Sequence, residues 1–142
     1  MTTQLKLSGH HRTALRACAQ RPRSVDELVD AANLRGPGRL DRMAELAEQW
    51  TGAGLVHREQ TASPPKYALA VGGVYRCLSP AARNAVRDWS SRQPTMVEGL
   101  GGIESRTAQS MQRLGVVSRE AGVVTLTTRG RLLRSYMISE GL

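Results

Sequence analysis

The run Gly54-Leu55-Val56-His57-Arg58-Glu59 returns as Gly115-Val116-Val117-Ser118-Arg119-Glu120, and each copy closes a helical pattern and opens a pair of β-rich segments. One order of elements met twice is the mark of one architecture built twice. In a chain of 142 residues it leaves room for two small units and little else.

In the first copy, the spacing predicts a helix over residues 9–20, with Leu15 and Cys18 on one side and Arg12 and Arg16 on another, ended by Pro22. Ser24-Val25-Asp26-Glu27 has the Ser-x-x-Glu form of a capping box, which opens a second helix with Leu28, Ala31 and Ala32 inward. The segment from Asn33 to Gly38 holds three Gly or Pro residues and reads as a turn. Leu40, Met43, Ala47 and Trp50 then recur at helical spacing as far as Gly52 or Gly54. Residues 55–59 and 67–70 form a hairpin with a long tip, and Gly72-Gly73 reads as a break.

The second copy follows the same order. Ser79-Pro80 offers an N-cap with proline at the first helical position, for a helix to about Arg92 with Ala82, Ala85, Val86 and Trp89 inward. Thr95-Met96-Val97-Glu98 reads as a second capping box and Gly101-Gly102 as a second turn. Residues 103–114 carry an apolar row at Ile103, Thr107, Met111 and Leu114. Residues 116–120 and 123–127 flank Ala121-Gly122, a tight hairpin signal. Thr128-Arg129-Gly130 leads into a last helix bearing Leu132, Leu133, Tyr136 and Met137. The expected class is mainly α with small β-hairpins (α+β), in units 1–78 and 79–142, with Trp50 and Trp89 at least partly buried.

Charge then narrows the partners. Lys and Arg number 20 against 12 Asp and Glu, a net +8, and lysine occurs only at positions 6 and 66. The planar guanidinium fork suits bidentate contacts to phosphate or a guanine edge, although a coding bias toward arginine gives the same count. Residues 1–78 hold eleven basic and seven acidic groups, and residues 79–142 nine and five, so the excess is shared and no tail concentrates it. Phe is absent and only five Trp and Tyr occur, which disfavours single-strand binders that stack unpaired bases on exposed rings.

Cys18 and Cys77 are too few for a disulfide scaffold and read as small buried apolar residues. His10, His11, Cys18, His57 and Cys77 lack metal-ligand spacing, so no metal or other cofactor is expected. No apolar run approaches a bilayer span and no signal-like segment follows Met1, so a cytoplasmic, nucleoid-associated protein without a membrane partner is expected. No nucleophile with a base, paired carboxylates or phosphate loop appears at a known spacing, and Gly36-x-Gly38 and Gly99-x-Gly101 are more economically turns. The chain is therefore expected not to be an enzyme.

Helix, helix-turn-helix and two-stranded wing is the order of winged helix-turn-helix regulators, and both halves resemble them. The stretch from Leu114 to Arg131 is the closer match and looks like the recognition-helix end, wing and following helix of MarR-like and related bacterial repressors. The resemblance implies that the helix after each turn enters the major groove of duplex DNA while the wing touches phosphate or the minor groove. The candidate base-reading residues are then Ser105, Arg106, Gln109, Gln112 and Arg113, with Arg39 and Arg42 in the first copy. Candidate phosphate contacts are Arg35, Arg58 and Lys66 in the first copy, and Arg119, Arg129 and Arg131 in the second. Each has a plainer reading as solvated surface charge. Asp41, Glu45 and Glu48 would repel phosphate from the first reading helix, which leaves a packing or partner-binding role open for that copy. Sequence-specific binding of double-stranded DNA for transcriptional regulation is the expected function. A protein-interaction adaptor, including a mobile-element or replication accessory factor, is the alternative. The apolar residues at 132–138 exceed what one helix face needs, so a homodimer paired through the C-terminal helix is also expected, the alternative being that they cover a core shared by the two units.

Overall fold

The first two helices of the first unit start where a serine side chain accepts an otherwise unpaired amide of the first turn. Our computed structural model describes residues 6–59, 63–89, 95–97 and 103–142. Ser8 Oγ accepts the His11 N–H at 3.2 Å and opens α1 (Gly9–Gln20), which buries Ala14, Leu15 and Cys18. After β1 (Arg23–Ser24), the expected capping box is complete: the Glu27 N–H donates to Ser24 Oγ and the Ser24 N–H donates to Glu27 Oε1, both at 3.3 Å. α2 (Val25–Ala31) follows and buries Leu28 and Val29. Arg23 joins the two helices, donating from Nε to the Ala17 carbonyl at 2.9 Å and from Nη1 to Glu27 at 3.3 Å.

Asn33, Gly36 and Gly38 take left-handed backbone conformations, which turns the chain into α3 (Arg39–Gly52). α3 buries Met43, Ala47 and Trp50. Leu40, expected inward with them, is 44% exposed: it lies in the first turn, next in sequence to Arg35 to Gly38, which are themselves exposed. β2 (Val56–Glu59) and β3 (Lys66–Leu69) pair antiparallel as expected, with Tyr67 and Leu69 buried on one face. Arg23 and Ser24 pair with Tyr67 and Lys66, so the expected hairpin is a three-stranded sheet of order β1-β3-β2.

Gly72-Gly73, expected as a break, lies inside α4 (Val71–Cys77). The cause is close approach. A Cβ at Gly73 would overlap the Leu55 carbonyl oxygen and come within 2.6 Å of Leu69 Cδ1, so glycine here lets the helix backbone lie on the strand. The chain divides into two compact units, Met1–Gly73 and Val74–Leu142.

The second unit repeats the order. Ser79 caps α5 (Pro80–Arg87) with proline in its first turn, and the helix stops at Arg87, short of the expected Arg92, with Asp88 as its C-cap. Ala82, Val86 and Trp89 are buried, and the two tryptophans are each 1% exposed. Thr95 to Val97, expected as a capping box, form β4 (Thr95–Val97), paired antiparallel with β6. The β-branched Thr and Val suit a strand, and β6 offers them an edge, as β3 does for β1. Glu98 and the expected Gly101-Gly102 turn lie outside the described residues.

α6 (Ser105–Arg113) buries Ala108 and Met111, with Ile103 and Leu114 buried at either end. Thr107, expected in that row, is only half-buried, because Ala108 takes the inward position. β5 (Val117–Glu120) and β6 (Val123–Leu126) are joined by Ala121-Gly122 with φ of 51° and 79°, the mirror-image turn whose twist matches the strands it connects. With β4 they form a second sheet, of order β4-β6-β5. α7 (Thr128–Glu140) begins where Thr127 Oγ1 accepts the Gly130 N–H and ends at Gly141, φ 68°. Gly130 repeats the role of Gly73: a Cβ there would overlap the Val116 carbonyl oxygen. The chain is thus α+β, seven described helices with two small antiparallel sheets.

Candidate nucleic-acid interface

α6 sorts its residues cleanly. Ala108 and Met111 face the core, while Ser105, Arg106, Gln109, Gln112 and Arg113 are all exposed. The helix itself carries two arginines and no carboxylate, and its N-cap residue is Glu104. Arg offers a bidentate fit to guanine and Gln to adenine, so this face has donors and acceptors in the form that a major-groove edge accepts. Among the described residues, no hydrogen bond or ion pair engages the heads of Arg106 and Arg113. Arg119, half-buried on β5, donates from Nη1 to Gln112 Oε1 at 3.3 Å and so links the hairpin to α6.

α3 occupies the same place in the first unit with another charge. Arg39 and Arg42 are exposed near its start, but Asp41, Glu45 and Glu48 are exposed with them. Arg39 donates to the Gly36 carbonyl at 3.4 Å and Arg42 to the Arg35 carbonyl at 2.8 Å, which braces the turn before the helix. Arg35 itself is exposed on that turn. Glu48 Oε1 accepts the Tyr67 hydroxyl at 3.0 Å and Arg58 Nη1 at 3.3 Å. Burial, then the hydrogen bond to Glu48 and its negative charge, raise the Tyr67 phenol above its ordinary value, so it stays protonated as the donor. Arg58 therefore bonds a carboxylate of α3, and Arg119 bonds the Gln112 amide of α6. Lys66 is exposed on β3, opposite Glu59.

Arg131 is exposed on the first turn of α7. Arg129 is half-buried, and its Nη1 donates to the Leu114 carbonyl at 2.9 Å, at the C-terminal end of α6. Both are expected from the sequence as phosphate contacts, and their surroundings differ: Arg129 is bonded to a backbone carbonyl while Arg131 is exposed. The repeat held the signal for part of this. Leu69 and Gly73 are spaced as Leu126 and Gly130 are, which marks the same docking of a following helix on both sheets.

Among the described residues no cluster of three or more His, Cys, Asp or Glu could hold a metal, and no helix is long and apolar enough to cross a membrane. Cys18 and Cys77 are both buried. Comparison with models of protein families, with curated proteins and with solved structures finds no match.

Proposed function

We propose that the chain is a tandem winged helix-turn-helix protein that binds duplex DNA sequence-specifically, as a transcriptional regulator of the nucleoid, with α6 as its reading helix. The observation that carries this is the α6 face: five exposed side chains able to bond base edges, two of them arginines, and no carboxylate within the helix. Such a face, on a chain of net charge +8, has the chemistry of groove recognition. Arg119 and Arg131 flank it as phosphate contacts, and Arg106 and Gln109 are its principal base contacts.

The first unit takes a different part. α3 sets three carboxylates against two arginines, and Glu48 neutralises the one arginine of its hairpin. This favours backbone positioning by Arg35, Arg39, Arg42 and Lys66, or an adaptor role for that unit, over base reading. Pairing of two copies through α7 belongs to the same proposal and would use Leu132 and Ile138, which are exposed there.

Fluorescence titration of the full chain with duplex DNA at two salt concentrations tests the proposal. Affinity that falls steeply with salt and prefers one sequence over random duplex supports it; no duplex binding at low salt rejects it.

A further inference from the structure

Three successive carbonyls leave α6, those of Leu114, Gly115 and Val116, and the start of α7 engages all three. Arg129 Nη1 donates to the Leu114 oxygen at 2.9 Å. Thr127 Oγ1 lies within hydrogen-bond distance of the Gly115 and Val116 oxygens, and the Thr127 N–H donates to the Val116 oxygen at 3.0 Å. The same Thr127 Oγ1 accepts the Gly130 N–H at 3.1 Å, so it is fixed by its own helix. The Arg129 guanidinium also covers Gly115, where a Cβ would meet Nη1 at 3.1 Å.

The first unit is an internal control. There the Ala70 N–H donates to the Leu55 oxygen at 3.0 Å, the counterpart of the Thr127 backbone bond, and Gly73 docks as Gly130 does. Ala70 and Gly72, however, stand where the second unit has Thr127 and Arg129, so neither hydroxyl nor guanidinium is present. The backbone contact therefore suffices to dock the following helix. The side-chain clasp is an addition, confined to the unit whose helix bears the reading face.

Resting on the assignment of α6 as the reading helix, the geometry points to Arg129 as a positioning residue for sequence recognition: with Thr127 it locks the exit of α6 to the start of α7 and so fixes the angle at which α6 meets the base edges. A guanidinium spent on a carbonyl at a helix C-terminus also meets the partial negative charge there. It acts on DNA through α6.

The test is Arg129→Met in the full chain, which keeps the aliphatic stem over Gly115 and removes the hydrogen-bonding head. Arg131→Met is the comparison, since Arg131 is exposed two residues further along α7. Duplex affinity is measured against salt for a selected sequence and for random duplex, and hydrogen exchange is followed at the Gly115 and Val116 amides, which bond to Gln112 and Met111. For Arg129→Met we expect faster exchange at both amides, an unchanged salt slope, and a ratio of selected to random affinity lowered about tenfold, the worth of roughly one base contact. For Arg131→Met we expect a slope shallower by about 0.9 and an unchanged ratio. A shallower slope with an unchanged ratio for Arg129→Met would make it a phosphate contact and overturn the inference, as would unchanged exchange. Absence of duplex binding by the wild type rejects the DNA reading, while the exchange result still decides whether the clasp holds α6.

Discussion

Two glycines and one alanine carry much of what the repeat demands of single residues. Gly73 and Gly130 let a helix backbone touch the carbonyl just before a strand, and a methyl group at either must push the helix off. Gly73→Ala and Gly130→Ala should each destabilise their unit by about 1–3 kcal/mol, read by chemical denaturation. Ala121 makes the opposite case. It holds φ 51° in a turn that favours Asn before Gly, so Ala121→Asn should stabilise the second unit by about 1 kcal/mol. An unchanged midpoint would mean that the turn relaxes at no cost. Glu27 supplies a pH signature. Hydrogen bonding to Arg21, then to the Ser24 amide, lowers its carboxyl from 4.5 to about 2. A folded pKa below the unfolded one contributes stability that is full above the unfolded value and lost as pH falls through the folded one. The stability difference between wild type and Glu27→Gln should therefore be full at pH 6 and shrink between about 4.5 and about 2. A difference that stays constant across that window would contradict the role given to Glu27.

Among the elements, α6 and α3 show how a shared position can carry different chemistry. Arg106→Ala should relax the preferred sequence at about one position and cost roughly 1–3 kcal/mol on that sequence. Arg42→Ala should leave the preference intact, because the Arg42 head is already bonded to the Arg35 carbonyl in front of α3. Equal changes in preference for the two variants would put base reading on both helices. What was legible in the sequence follows the same division. Caps and turns with local chemistry, Ser24 with Glu27, Ser79 with Pro80 and Ala121 with Gly122, fall where their residues predict, since each is decided within four positions. The strands Arg23–Ser24 and Thr95–Val97 were not legible, because a two- or three-residue strand exists only by pairing with a partner far along the chain. α4 was hidden because glycine lowers helix propensity, and tertiary approach at Gly73 overrides that local preference. The exposed face of α6 was readable from its apolar row. The employment of Arg129 on a carbonyl of the preceding helix was not, since charge alone does not say what it meets.

For the whole molecule, the repeat and the charge belong together: two units of like topology share a basic excess, and one of them keeps its central helix clear of carboxylates. Assembly is open to direct measurement. Of the apolar residues at 132–138, Leu133 and Met137 belong to the core, while Leu132 and Ile138 are 63% and 56% exposed. At about 100° per residue these two lie about 120° apart around α7, so they form two flanks and not one stripe. Leu132→Glu with Ile138→Glu should convert a dimer mass in sedimentation to a monomer, and a monomeric wild type at micromolar concentration would contradict pairing through α7. Met137 is unsuitable for this test, because burying a charge there would unfold the unit. The central claim, that α6 reads duplex sequence, is tested most directly by selecting bound sequences from a random duplex library with the wild-type chain and with Arg106→Ala. The account predicts one enriched motif for the wild type that loses information at about one base pair in the variant. Uniform recovery of all sequences by the wild type, or an identical motif from the variant, would contradict it.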